Sequence, residues 1–189
     1  MSYECPIEYI KSPWSNTNWW GGDFSLETIF EKLKNEIPWE QRDAPRKECF
    51  FSLYKDTYTY GKGAGIRTYY PNEFTKSVNK IRELLEHYDC GELDLCFVNY
   101  YDGPRDHLGW HADDSPTINH EYPIAVVSFG AEREIWFREN GSSDVKKLLL
   151  NNGSLLLMKA GMQMTHQHRI PKHSALCGPR ISLTFRKML

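Results

Sequence analysis

The chain has 189 residues, the length of one compact domain, and its balance of 40% apolar to 25% charged residues excludes a disordered or fibrous protein. At this length a chain buries roughly two-thirds of its unfolded surface, so it needs no staple to fold. The net charge of -2 gives no global positive field, so a nucleic-acid partner would have to meet a local basic strip.

Residues 1–24 are rich in Pro, Asn and Trp without a clear period, and an irregular arm over the domain is expected there. From Ser25, apolar Leu26, Ile29, Phe30, Leu33 and Ile37 recur at helical spacing, and Pro38 ends the run. Cys49 to Tyr54 reads as a strand. The following Tyr58-Thr-Tyr60-Gly-Lys-Gly-Ala-Gly65 is too glycine-rich for a regular element and reads as a mobile lid. After Pro71 and Asn72, Phe74, Val78, Ile81, Leu84 and Leu85 write a second amphipathic helix.

From Leu93 the texture changes to short strands at Leu93–Tyr101, Ile124–Phe129, Glu134–Phe137, Lys147–Leu150, Ser154–Met158 and Ile181–Arg186. Turn signals at Asp102-Gly103-Pro104, Asn140-Gly141 and Asn152-Gly153 separate them. Helices first and strands afterwards predict an α+β fold whose strands close into a barrel or double-sheet jelly roll. A single domain over 1–189 is expected, with arm, helices and lid in 1–92 and the strand-rich core in 93–189.

The five cysteines (Cys5, Cys49, Cys90, Cys96, Cys177) form no CxxC pair, which reads as reduced thiols of an intracellular protein. No apolar run is long enough to span a bilayer, and the polar, proline-containing N-terminus does not read as a signal peptide. A soluble monomer with no membrane partner, cytoplasmic or nuclear, is expected.

Three features of the strand-rich half carry chemistry: His111-Ala112-Asp113, a histidine cluster at His166 and His168, and the pair Arg180 and Arg186. Two His and one carboxylate on one side of a metal leave positions open, as a non-haem Fe(II) oxygenase requires. On a strand, residues two apart share a face, so His111 and Asp113 can reach one ion. By the same parity His166 and His168 share a face, and spacing does not choose between them. Arg180 and Arg186 also share a face, and two inward guanidiniums are costly unless an anion neutralises them. A dicarboxylate would do so through bidentate hydrogen bonds that Lys does not copy. Each feature alone has a plainer explanation, as a chance motif, a strand end or a solvent-facing stripe; their conjunction does not.

The motifs Asn99-Tyr-Tyr101, His111-Ala-Asp113, Val127-Ser-Phe-Gly130, His168-Arg-Ile-Pro171 and Arg180-Ile-Ser-Leu-Thr-Phe-Arg186 resemble the AlkB family of 2-oxoglutarate-dependent nucleic-acid dealkylases. Pro45-Arg-Lys47 and Tyr58-Thr-Tyr60-Gly61 resemble that family's substrate lid. The likeness implies a double-stranded β-helix with N-terminal helices and a lid. It implies Fe(II), 2-oxoglutarate and O2 as cofactors, with His111, Asp113 and His168 as metal ligands. The His-x-x-Pro context selects His168 over His166. It places Asn99, Tyr101, Arg180 and Arg186 on 2-oxoglutarate, with Arg180 at the distal carboxylate and Arg186 nearer the metal. The implied reaction removes alkyl groups from bases of DNA or RNA, releasing aldehyde, succinate and CO2. Methylated DNA or RNA is then the partner.

A base must leave its stack to reach such a metal, and Tyr60, with Tyr58, is the expected aromatic platform. Arg46, Lys47, Lys55, Lys62 and Arg67 are candidate phosphate contacts. The sequence departs from the family at Ser115, where repair members carry an acidic residue facing a cationic base; Asp114 is acidic but displaced by one. Ser182 stands where Asn is often found. The alternative reading is the same chemistry on a protein or small molecule.

Overall fold

The protein is seen in a computed structural model that describes residues 5–14, 25–60, 66–173 and 175–189. Helix α1 spans Leu26–Glu36 and α2 spans Lys76–Leu85. Ser25 and Thr75 cap them by accepting hydrogen bonds from the Thr28 and Val78 amides, which relieves a backbone donor at each helix start. Phe74 precedes the second cap, so its ring packs beside the helix rather than within it.

Among the described residues thirteen strands run β1 Ile7–Ile10, β2 Glu40–Gln41, β3 Lys47–Ser52, β4 Tyr58–Tyr60, β5 Arg67–Tyr69, β6 Leu95–Tyr101, β7 Leu108–His111, β8 Ile124–Gly130, β9 Arg133–Glu139, β10 Lys146–Leu150, β11 Ser154–Met158, β12 His166–Ile170 and β13 Arg180–Arg186. A one-turn helix, α3 at Met162–Thr165, joins β11 to β12. The large sheet has the order β1-β11-β8-β13-β6-β3-β2 and the small one β10-β9-β12-β7; β4 and β5 form a separate hairpin. All the ladders pair antiparallel. This is the expected jelly roll. No helix among the described residues is long and apolar enough to cross a membrane.

Alternation along the central strands sorts their side chains into two layers. Ala125, Val127 and Phe129 of β8, with Ile181, Leu183 and Phe185 of β13, pack under Ile29 and Leu33 of α1 and Val78 and Ile81 of α2. The alternate residues face the small sheet, where Val126, Ile135, Phe137, Leu156 and Ile170 form a second core. Arg180, Ser182, Thr184 and Arg186 lie on this second face of β13, so the pleat that buries the helices' core also points both arginines inward. Gly130 ends β8 at φ +88°, and a Cβ there would run into the Pro179 carbonyl and the Phe30 ring, so no larger residue fits this corner.

Several elements differ from expectation. Residues 7–10 of the expected irregular arm form β1 against β11; residues 1–4 and 15–24 of that arm lie outside the described residues. The strand expected at Cys49 to Tyr54 runs instead from Lys47 to Ser52, because the chain leaves the ladder where Leu53 and Tyr54 become exposed. Tyr58 to Tyr60, expected to be irregular, pairs with Arg67 to Tyr69; aromatic and threonine side chains at alternate positions favour the hairpin over the glycines' pull. Gly61 to Gly65, the rest of the expected lid, lies outside the described residues. The first half of the chain thus supplies sheet strands as well as helices.

Candidate metal centre and cosubstrate cavity

His111 ends β7 and His168 sits in the middle of β12, directly opposite it in the ladder. That register sets the two imidazole centroids 4.2 Å apart. The His111 Nδ1 lies 2.9 Å from the Gly109 carbonyl, which can only accept, so the proton is on Nδ1 and Nε2 is left for a metal. The Asp113 carboxylate stands 3.8 Å from the His111 Nε2 and 4.0 Å from the His168 Nε2. One ligand atom from each of the three lies within 4.8 Å of the others, close enough to converge on one ion.

His168 is the cluster member in this triad. His166 is buried too, but its Nδ1 pairs with the Thr165 hydroxyl at 2.7 Å. The strand argument for the His111–Asp113 pair needs correction: β7 stops at His111, and Asp113 lies in the loop beyond. Its backbone amide instead donates to the Gln163 Oε1 at 2.9 Å, and its Oδ1 accepts from the Arg186 Nη2 at 2.9 Å.

Burial lowers the affinity of both imidazoles for protons: His111 falls below its usual value, and His168 falls to about 3, pushed further by His111 and Arg186. Both are therefore neutral at physiological pH, the form that binds metal. Burial alone would raise Asp113, but Arg186 and the two imidazoles outweigh it and hold its carboxyl below the usual carboxylate range. Desolvation works against Arg186 as well, yet Asp113 overrides it and raises the guanidinium.

The triad opens into a cavity of about 520 Å³, part of it continuous with solvent, whose walls include Asn99, Tyr101, Arg180, Ser182 and Arg186. Asn99 and Tyr101 on β6 stand opposite Ser182 and Arg180 on β13. Arg180 has no exposed surface; its Nη2 reaches the Ser128 hydroxyl at 2.9 Å and the Ser182 hydroxyl at 3.2 Å. Burial lowers it to about 10, so it remains a cation at neutral pH. Its Nε and Nη1, and those of Arg186, have no hydrogen-bond partner among the described residues. Among the described residues no carboxylate pairs with Arg180. The solvent-facing stripe is thus excluded, and two donors on a buried, uncompensated guanidinium fit a carboxylate in bidentate fashion. The imidazole–carboxylate donor set likewise fits Fe(II).

Tyr58 is buried on the cavity wall, stacked on Phe50 with centroids 5.3 Å apart, its ring 5.8 Å from the Arg186 guanidinium. The side chain of Tyr60 lies outside the described residues, as does Lys62. Asp114 is exposed, and Ser115 is half-buried with its hydroxyl 3.0 Å from that of Thr117; neither lines the cavity.

Arg46 is a correction to the expected phosphate contacts. It is buried, ion-paired with Glu48 at 2.5 Å, and donates to the Asn99 Oδ1 at 2.6 Å and the His107 carbonyl at 3.2 Å. A guanidinium so saturated is part of the cavity wall. Glu48 also accepts from the Tyr69 hydroxyl at 2.6 Å, which ties the β4–β5 hairpin to the same wall. Sequence reasoning missed Glu48, Ser128 and Gln163. Ser128 was accessible by parity from β8, whereas Gln163 carries no signal in the sequence around it.

Known proteins resemble this chain in sequence and in fold. Residues 24–186 match the 2OG-Fe(II) oxygenase superfamily. The chain belongs to that superfamily. It is 32% identical to the alpha-ketoglutarate-dependent dioxygenase alkB homolog 3 of Bos taurus, covering 85% of this chain and 60% of that protein. The alkB homolog 3 of Homo sapiens is also 32% identical, over 84% of this chain and 60% of that protein. The DNA oxidative demethylase ALKBH2 of Mus musculus is 29% identical, over 89% of this chain and 77% of its own length. The chain thus spans about 60% of the length of the first two relatives. A solved structure of OsALKBH1 superposes with a TM-score of 0.60 over 99% of this chain and 100% of its own, at 17% identity, a likeness of fold.

Proposed function

We propose that this protein is an Fe(II)- and 2-oxoglutarate-dependent dioxygenase that removes methyl or other alkyl groups from bases of DNA or RNA. His111, Asp113 and His168 hold the metal; Asn99, Tyr101, Arg180 and Arg186 receive 2-oxoglutarate. When bound, Fe(II) with 2-oxoglutarate and O2 supplies the oxidising power to hydroxylate an N-alkyl carbon, giving succinate and CO2 and then an aldehyde with the restored base.

The chain's own residues orient and enclose that chemistry. Neutral His111 and His168 and ionised Asp113 present three ligand atoms from one side, leaving the cavity side open. Arg180 pairs with the distal carboxylate of the cosubstrate, steadied by Ser128 and Ser182 and backed by the Tyr101 ring 5.2 Å away. Val126, Ile135 and Ile170 keep water from the same space. Tyr58, on the cavity wall, faces the incoming base. The carrying observation is Arg180: a fully buried guanidinium with two donors unmatched, in the cavity that the triad borders.

The nucleic-acid substrate rests on the relatives, among them one named a DNA oxidative demethylase. The test is succinate formation with Fe(II) and 2-oxoglutarate, with and without methylated oligonucleotides. Stimulation by the oligonucleotide supports this reading. Stimulation only by peptides or small molecules moves the same chemistry to another substrate, and no succinate under any condition refutes it.

A further inference from the structure

We propose that Gln163 is the positioning residue that fixes Asp113 for metal binding, an inference that rests on the metal site proposed above. The two histidines need no such device, because β7 and β12 hold them opposite each other through their ladder. Asp113 has no ladder. It lies two residues past the end of β7, and its carboxylate is pulled toward Arg186 as well as toward the imidazoles.

Gln163 supplies what the strand does not. Its side chain is buried at 5% exposure on α3, and its Oε1 accepts from the Asp113 amide at 2.9 Å across fifty positions of sequence. A backbone N–H requires an acceptor, so the oxygen end of the amide faces Asp113. The nitrogen end faces the Met158 sulfur at 3.5 Å, a weak acceptor. The turn that carries Gln163 is itself anchored, with the Gly161 amide donating to the His120 carbonyl at 2.9 Å, and it leads directly into β12 and His168. One side chain therefore ties the loop of the second ligand to the connection that delivers the third. Metal sites depend on such outer partners, whose loss typically weakens binding about ten- to hundredfold.

The test is Co(II) binding by the metal-free full chain, followed by calorimetry and by the visible d–d spectrum, for wild type and three variants. Gln163→Met fills the same space without an acceptor and is expected to weaken Co(II) binding about tenfold or more, with an altered spectrum. Gln163→Asn falls a methylene short and is expected to behave likewise. Gln163→Glu keeps an acceptor oxygen at the same reach and is expected to bind close to wild type with the wild-type spectrum, a rescue that a packing role alone would not produce. Wild-type affinity and spectrum in Gln163→Met or Gln163→Asn overturn the proposal. So does a Gln163→Glu protein as impaired as Gln163→Met. Wild type that binds no Co(II) overturns the metal site itself, and with it this role, a result distinct from any difference among the variants.

Discussion

Arg186 donates from Nη2 to Asp113 Oδ1 across 2.9 Å, so the carboxylate that faces the two imidazoles is held by the second arginine of the Arg180–Arg186 pair. The two guanidiniums share one face of β13 but have different neighbours. Arg186 is compensated by a carboxylate on the protein, and Arg180 is not. On the proposed reading that asymmetry divides their work: Arg180 supplies the uncompensated charge for an incoming dicarboxylate, and Arg186, besides contacting the cosubstrate, keeps Asp113 ionised.

Arg180→Ala should therefore raise the 2-oxoglutarate requirement at least about tenfold, the scale of a lost charge-assisted hydrogen bond of roughly 1.5–3 kcal/mol. Arg180→Lys should recover only part of it, since an ammonium keeps the charge but not the fork. Titration with 2-oxoglutarate, read as succinate formation or by calorimetry, checks this. An unchanged cosubstrate requirement together with lost oligonucleotide binding would place Arg180 on the substrate instead.

Within the histidine cluster, His168→Ala should abolish turnover and sharply weaken Fe(II) or Co(II) binding. His166→Ala removes a ring that pairs with Thr165 and stands outside the triad, so its effect on metal affinity should be small. The converse pattern, with His166→Ala inactive and His168→Ala active, would assign the ligand wrongly.

Much of this site was legible in the sequence because its parts lie on strands of fixed period. Arg180 and Arg186 could be placed on one face by parity, and β13 bears that out residue by residue. The strand Ser154–Met158 was read to its boundaries, for an apolar run between turn residues has few other readings. β12 was not among the expected strands, although parity was applied to His166 and His168, since His-Gln-His-Arg carries no apolar alternation; two of its three buried residues are histidines. Arg46 looked like a surface cation in sequence, and only the fold brings Glu48 and Asn99 to it. Gln163 was invisible for the same reason, its partner being fifty residues away.

The cavity's charge bears on the substrate. Among the described residues its lining includes Arg180, Arg186 and an Arg46 already paired with Glu48 but, apart from Asp113, no carboxylate, while Asp114 is exposed. Ser115 stands outside that lining, so Ser115→Glu should raise activity on cationic 3-methylcytosine or 1-methyladenine only slightly relative to wild type, through the longer-range attraction of a carboxylate for a cation. Rates on matched oligonucleotides check it. No gain, with wild type already efficient on these bases, would mean that another group supplies the charge.

Tyr60→Ala should weaken binding of a methylated oligonucleotide by roughly 1–3 kcal/mol, the worth of one stacked base. Uncoupled 2-oxoglutarate turnover should stay unchanged, because that half-reaction does not use the base-stacking residue. Equal loss in both assays would show that Tyr60 supports the fold rather than the substrate.

The most direct test of the central claim is mass spectrometry of methylated DNA and RNA oligonucleotides incubated with the purified protein, Fe(II), 2-oxoglutarate and air, beside a His168→Ala control. The account predicts loss of the methyl group from at least one methylated base, with succinate formed in step and both absent in the control. Oligonucleotides that remain fully methylated while succinate accumulates, or demethylation that persists in His168→Ala, would contradict it.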